Sequence, residues 1–126
     1  MERSQALQAF KDGMTLVDET ADYLDGAGRQ EAKMLSRTAA LAYARESLTL
    51  TTLLMQAASW LLVQKAIREG DMPPKDAHQT RYRIKDDGVK SAPRPFGSAI
   101  MAEMPPRLTM LLERAERLYE RVALLD

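Results

Sequence analysis

Cysteine is absent from the 126 residues, which removes disulfides and thiolate metal sites and points to a reducing cytoplasm. An excess of charge of either sign is lacking too. With 18 basic and 18 acidic residues, the chain has none of the overall electrostatic pull of a dedicated nucleic-acid binder. The one histidine, His78, lies in a polar stretch, and the residue three before it is Lys75, not the acid that a di-iron Glu/Asp-x-x-His pair requires. A triad would depend entirely on that one side chain. Gly26-Ala27-Gly28 has no strand before it and no Gly-Lys-Ser/Thr after it, so it reads as a turn between helices and not as a phosphate loop. These absences leave no catalytic residue, cofactor site or metal site to name, and the chain is expected not to be an enzyme. Met1-Glu2-Arg3-Ser4-Gln5, followed by Lys11-Asp12, shows no apolar core of a secretory leader.

Glycine and proline are missing over one long run, Arg29 to Glu69, which is dense in Ala, Leu, Met, Gln, Glu and Lys. That composition predicts a long central helix over about 29–69, on the order of 60 Å at ~1.5 Å per residue. Acidic Glu31 near its start, Lys65 and Arg68 near its end and Gly70 after it match the helix dipole and a C-terminal stop. Two apolar rows run along this helix about 100° apart: Leu41, Ala44, Leu48, Thr51, Met55, Ala58 and Leu62, and Tyr43, Leu50, Leu54, Ala57 and Leu61. Each row is expected to hold one neighbouring helix. The segment Ser47–Gln64 is uncharged, but Ser47, Thr49, Thr51, Thr52, Gln56, Ser59 and Gln64 make it a buried helix in water and not a membrane span.

The flanking helices follow from the same periodicity. Leu7, Phe10, Met14, Val17, Ala21 and Leu24 form a heptad row on a first helix that ends at Asp25-Gly26-Ala27-Gly28, where glycine supplies a left-handed stop. Met104-Pro105-Pro106 opens a last helix, in which Leu108, Leu111, Ala115, Leu118, Val122 and Leu125 form the apolar row. Glu113, Arg114, Glu116, Arg117, Glu120 and Arg121 give it a charged outer face. The expected architecture is a single all-α domain over 1–126, a three-helix bundle with a flexible connection at 71–104. A short helix can start after Pro74. The later part of the connection, with Gly88, Pro93, Pro95 and Gly97, is poor in large apolar residues.

Function is therefore expected on surfaces. A third row on the central helix, Arg45, Thr49, Thr52, Gln56, Ser59 and Val63, is almost neutral, where a free surface of a chain that is 29% charged would carry Lys and Glu. That row, with Trp60 at its border, is the expected seat of a partner or of a second copy of the chain. Arg81 and Arg83, which flank Tyr82 in the one locally basic segment, and Arg94 and Phe96 further on, complete the expected protein-interaction residues. Asp86 and Asp87 dilute that basic segment, which argues against a nucleic-acid role. The eight methionines suit adaptable packing.

Four strings carry a resemblance. Tyr23-Leu24-Asp25-Gly26-Ala27-Gly28-Arg29, Tyr43-Ala44-Arg45-Glu46-Ser47-Leu48-Thr49-Leu50-Thr51-Thr52, Leu54-Met55-Gln56-Ala57-Ala58-Ser59-Trp60-Leu61-Leu62 and Leu118-Tyr119-Glu120-Arg121-Val122 resemble the alphaproteobacterial RcdA family, regulators of CtrA degradation. The resemblance covers the helical core and leaves the connection unmatched. It implies a dimeric three-helix bundle without enzymatic activity. Such a protein acts as an adaptor that helps deliver cargo, CtrA included, to the ClpXP protease with other adaptors at the cell pole. The rival readings from the residues are a helical interaction module with other partners and a small DNA-associated bundle.

Overall fold

The computed structural model describes residues 2–70 and 96–125. Within them the chain forms α1 (Glu2–Asp25), α2 (Ala27–Lys33), α3 (Arg37–Arg68), α4 (Ser98–Met101) and α5 (Pro106–Leu125). The described residues contain no strand, and α1, α3 and α5 pack pairwise as the expected all-α three-helix bundle around a long central helix.

The central helix starts later than its composition predicts, at Arg37 and not near Arg29. Its 32 residues span about 48 Å at ~1.5 Å per residue. The cause is a cap. Ser36 has extended backbone, and its Oγ accepts a 3.2 Å hydrogen bond from the Ala39 N–H, one of the donors that the first turn leaves without a helical partner. Leu35 turns back against the core just before it, so the run breaks without any glycine or proline. The other end follows expectation: Lys65 and Arg68 lie in the last turn, and Gly70, at φ 83°, takes the left-handed conformation that ends it.

The glycines after α1 work differently from the expected left-handed stop. Gly26 has φ −121°, and Gly28 is buried inside α2. A Cβ on Gly28 would lie 2.5 Å from Tyr43 Oη and 2.7 Å from the Tyr23 carbonyl oxygen, so only glycine lets α2 come this close to α1 and α3. Tyr23 ties the corner together: its hydroxyl donates to Glu31 Oε1 at 2.9 Å, and the Arg107 guanidinium lies 5.3 Å from its ring centre. Burial, and then the bond to Glu31, push the Tyr23 phenol well above its ordinary range; burial also raises Tyr43.

The core gathers Leu16 and Tyr23 of α1, Leu50, Leu53, Trp60 and Leu61 of α3, and the predicted row of α5, with Leu108, Leu111, Ala115, Leu118 and Val122 buried. In α1 the core face is rotated from the predicted one. Ala9, Leu16, Thr20 and Tyr23 are buried, whereas Phe10, Val17 and Leu24 only edge the core and Leu7 is exposed. Gly13 explains the rotation. A Cβ there would stand 3.2 Å from Leu61 Cδ1 and 3.4 Å from Leu118 Cδ2, so the helix turns its bare side toward the closest approach of α3 and α5.

Part of the predicted connection is built into the bundle. Residues 98–101 are helical, Phe96, Ile100 and Met101 pack half-buried on the core, and Met104 is buried. The short helix predicted after Pro74, and His78 with it, lie outside the described residues. The arginines of α5 also reach further than their own helix. Arg114 pairs with Glu19 of α1, and Arg121 Nη1 lies 2.9 Å from Asp12 Oδ2. Those hydrogen bonds hold both carboxyls below their ordinary range.

Candidate protein-interaction site

The two apolar rows of α3 have opposite fates. Tyr43, Leu50, Leu54, Ala57 and Leu61 are buried, as expected. The other row holds none of the described helices. Leu41 is 60% exposed, Leu48 67%, Met55 63% and Leu62 51%, and Ala44 and Thr51 between them are exposed as well. The expectation that α1 and α5 would take one row each is therefore corrected: both pack around the Tyr43–Leu61 side. A single row serves two helices because Leu53 and Trp60 widen it on one flank, and both are core residues.

The exposed row does not stand alone. Lys65 Nζ sits 5.8 Å from the ring centre of Phe10, which places the edge of α1 beside the edge of α3. By helical projection the half-buried row of α1, with Phe10, Val17 and Leu24, then borders the same seam. Large apolar side chains at i, i+7, i+14 and i+21, with small residues between, are the pattern of a helix seam that receives knobs from another helix. An exposed apolar row of this kind is a candidate interaction site.

The neutral row is less open than the apolar one. Arg45, Thr49, Thr52 and Gln56 are half-buried, Val63 is buried, and only Ser59 is exposed. Thr49 needs no external partner, since its Oγ1 donates to the Arg45 carbonyl oxygen at 3.2 Å. Trp60, at 4% exposure, is a core residue, and Phe96 packs against the core as well. Arg81, Arg83 and Arg94 lie outside the described residues.

Sequence reading missed one acidic side chain. Glu46 is 2% exposed and lines a groove of about 320 Å³ with Met101, Met104, Leu108, Leu112, Glu113 and Glu116. The available signal was its place on α3, one turn from buried Ala42 and Leu50. No three His, Asp or Glu side chains gather as a metal site among the described residues, and none of their helices is long and apolar enough to cross a membrane.

Comparison with known proteins agrees with this architecture. No curated protein matches. Residues 1–126 match the family described as a protein of unknown function, DUF1465. The fold is similar to the crystal structure of RcdA from Caulobacter crescentus CB15, with a TM-score of 0.76 and 50% sequence identity, covering 96% of this chain and 87% of that one. Half of the residues are thus identical across nearly the whole bundle, and on that ground the chain belongs to the RcdA family.

Proposed function

We propose that this chain is a non-catalytic adaptor in regulated proteolysis, which helps deliver cell-cycle regulators such as CtrA to the ClpXP protease. The observation that carries the reading is the open apolar seam along Leu41, Leu48, Met55 and Leu62, a surface suited to contact with another protein chain and offering no convergent polar groups for a small substrate. Membership of the RcdA family, whose resemblance implies a regulator of CtrA degradation, supports the protease context. Tethering cargo near a protease raises its effective concentration, so modest affinities suffice.

The working form in this proposal is a cytoplasmic homodimer, acting with other adaptors at the cell pole. Its second copy sits on the Leu41–Leu62 seam and not on the neutral row around Thr49. A two-fold contact between two copies of α3 is self-complementary, because each apolar residue meets the same surface on its mate.

Reconstitution tests the function directly. Degradation of a purified CtrA-type cargo by ClpXP and its other adaptors is expected to speed up when this chain is added; an unchanged rate over the whole titration sinks the reading. Light scattering tests the dimer. A mass of one chain at about 100 μM, where interfaces of standard size are saturated, removes it.

A further inference from the structure

The other flank of α1 carries a second surface of different chemistry. Asp12 and Glu19 lie across the helix from Phe10 and Val17, and there α1 and α5 enclose a groove of about 410 Å³. It is lined by Asp12, Thr15, Arg114, Arg117 and Arg121 above Leu16 and Leu118. The arginines follow i, i+3 and i+7 spacing, which aligns them on one face of α5. The outer two are anchored, Arg114 by Glu19 and Arg121 by Asp12. Arg117 between them is exposed and makes no ion pair or hydrogen bond among the described residues.

We propose that this groove docks an acidic segment of a partner protein, with a Glu or Asp carboxylate on Arg117 and a neighbouring apolar side chain over Leu16 and Leu118. Charge complementarity selects the occupant. Three guanidinium groups meet two carboxylates, those of Asp12 and Glu19, which leaves the charge of Arg117 uncompensated, and each anchored arginine keeps N–H donors beyond those its ion pair uses. The anchors also hold the arginines in place before any partner arrives, which lowers the ordering cost of binding. A nucleic-acid strand fits less well, because its evenly spaced phosphates would meet Asp12 and Glu19 at the anchored positions. The groove does not rest on the protease reading or on the dimer, since it lies away from the α1–α3 seam.

The test uses the full chain and a fluorescein-labelled peptide of alternating glutamate and leucine, followed by fluorescence anisotropy. Binding is expected to weaken as salt rises from about 50 to about 500 mM, and Arg117→Glu is expected to weaken it by about tenfold or more. A peptide with glutamine in place of glutamate is expected not to bind. Arg117→Gln is a second, milder variant, and thermal melts verify that both variants keep the wild-type fold. Equal binding of the two peptides, or an affinity that neither Arg117 variant changes, overturns the proposal. So does displacement by inorganic phosphate at concentrations below that of the glutamate peptide, which makes the groove a phosphate site.

Discussion

The inner and outer faces of α3 are built from the same residue types, yet one is the centre of the fold and the other is left open. The inner face has Tyr43, Leu50, Leu54, Ala57 and Leu61; the outer has Leu41, Ala44, Leu48, Thr51, Met55, Ala58 and Leu62, a cleaner heptad row than the buried one. What separates them is not hydrophobicity. Aromatic residues and Leu53 on the inner flank fill an irregular space between three helices, whereas the outer row is the regular repeat that a helix meets when its neighbour runs alongside it. Irregular breadth thus goes here with contact inside the bundle, and the regular row is the one that the bundle leaves exposed.

The comparison breaks most visibly at the paired positions Leu50 and Leu48. Leu50→Ala is expected to destabilise the fold by about 2–5 kcal/mol through a cavity that the bundle cannot close. Leu48→Ala is expected to change the stability of a monomer by less than ~0.5 kcal/mol. Denaturant titration of both variants at low concentration checks this, and equal losses would erase the distinction between the faces. If the second copy sits on the outer face, Leu48→Glu reduces the dimer to a monomer in light scattering without loss of helix by circular dichroism.

A smaller effect is expected at Ser36, whose cap fixes where α3 begins. Ser36→Ala is expected to cost about 1 kcal/mol and to raise hydrogen exchange in the first turn of α3, leaving its later turns protected. No loss of stability would mean that the corner around Tyr23 and Gly28 sets the start of the helix by itself.

The smallest effect comes from acid. Asp12 and Glu19 have lowered pKa values in the folded protein, so their contribution is complete above the unfolded carboxylate range near ~4 and disappears as pH falls through the folded values. Both pairs are substantially exposed, which limits what they contribute. Thermal midpoints are expected to hold steady from pH ~7 to ~5 and to fall below ~4, with Asp12→Asn and Glu19→Gln together flattening part of that fall. An unchanged acid profile in the double variant would show that α5 is held to α1 by its apolar row alone.

Much of the bundle was legible in the sequence. Pro106 and the heptad row of α5 marked the last helix, and the composition of the Gly- and Pro-free run marked the central one and its C-terminal end but not its start. Local rules failed where a remote contact decided. Ser36 caps α3 at the point where Leu35 packs on the core, and the buried face of α1 goes with the close approach of Leu61 and Leu118 to Gly13, residues far away in the chain. The candidate site was legible as a row and illegible as a surface. Projection found Leu41, Leu48, Met55 and Leu62 on one side, but periodicity does not say whether the neighbour is α1, α5 or another molecule. In the neutral row, the Thr49 hydroxyl bonds to its own helix, a satisfaction that composition alone does not reveal.

The order of the elements in the chain has a consequence for synthesis. The corner of Tyr23, Gly28, Glu31 and Tyr43 joins residues near each other in sequence, so α1, α2 and α3 pair as soon as they leave the ribosome. The partners of α1 on α5 are remote, and Arg114 and Arg121 arrive only after residues 71–105 have been added. At ~5–20 residues per second, that interval lasts about 2–7 seconds. For those seconds the part of the inner face of α3 that α5 covers stays open beside the outer row, and the arrival of α5 closes it.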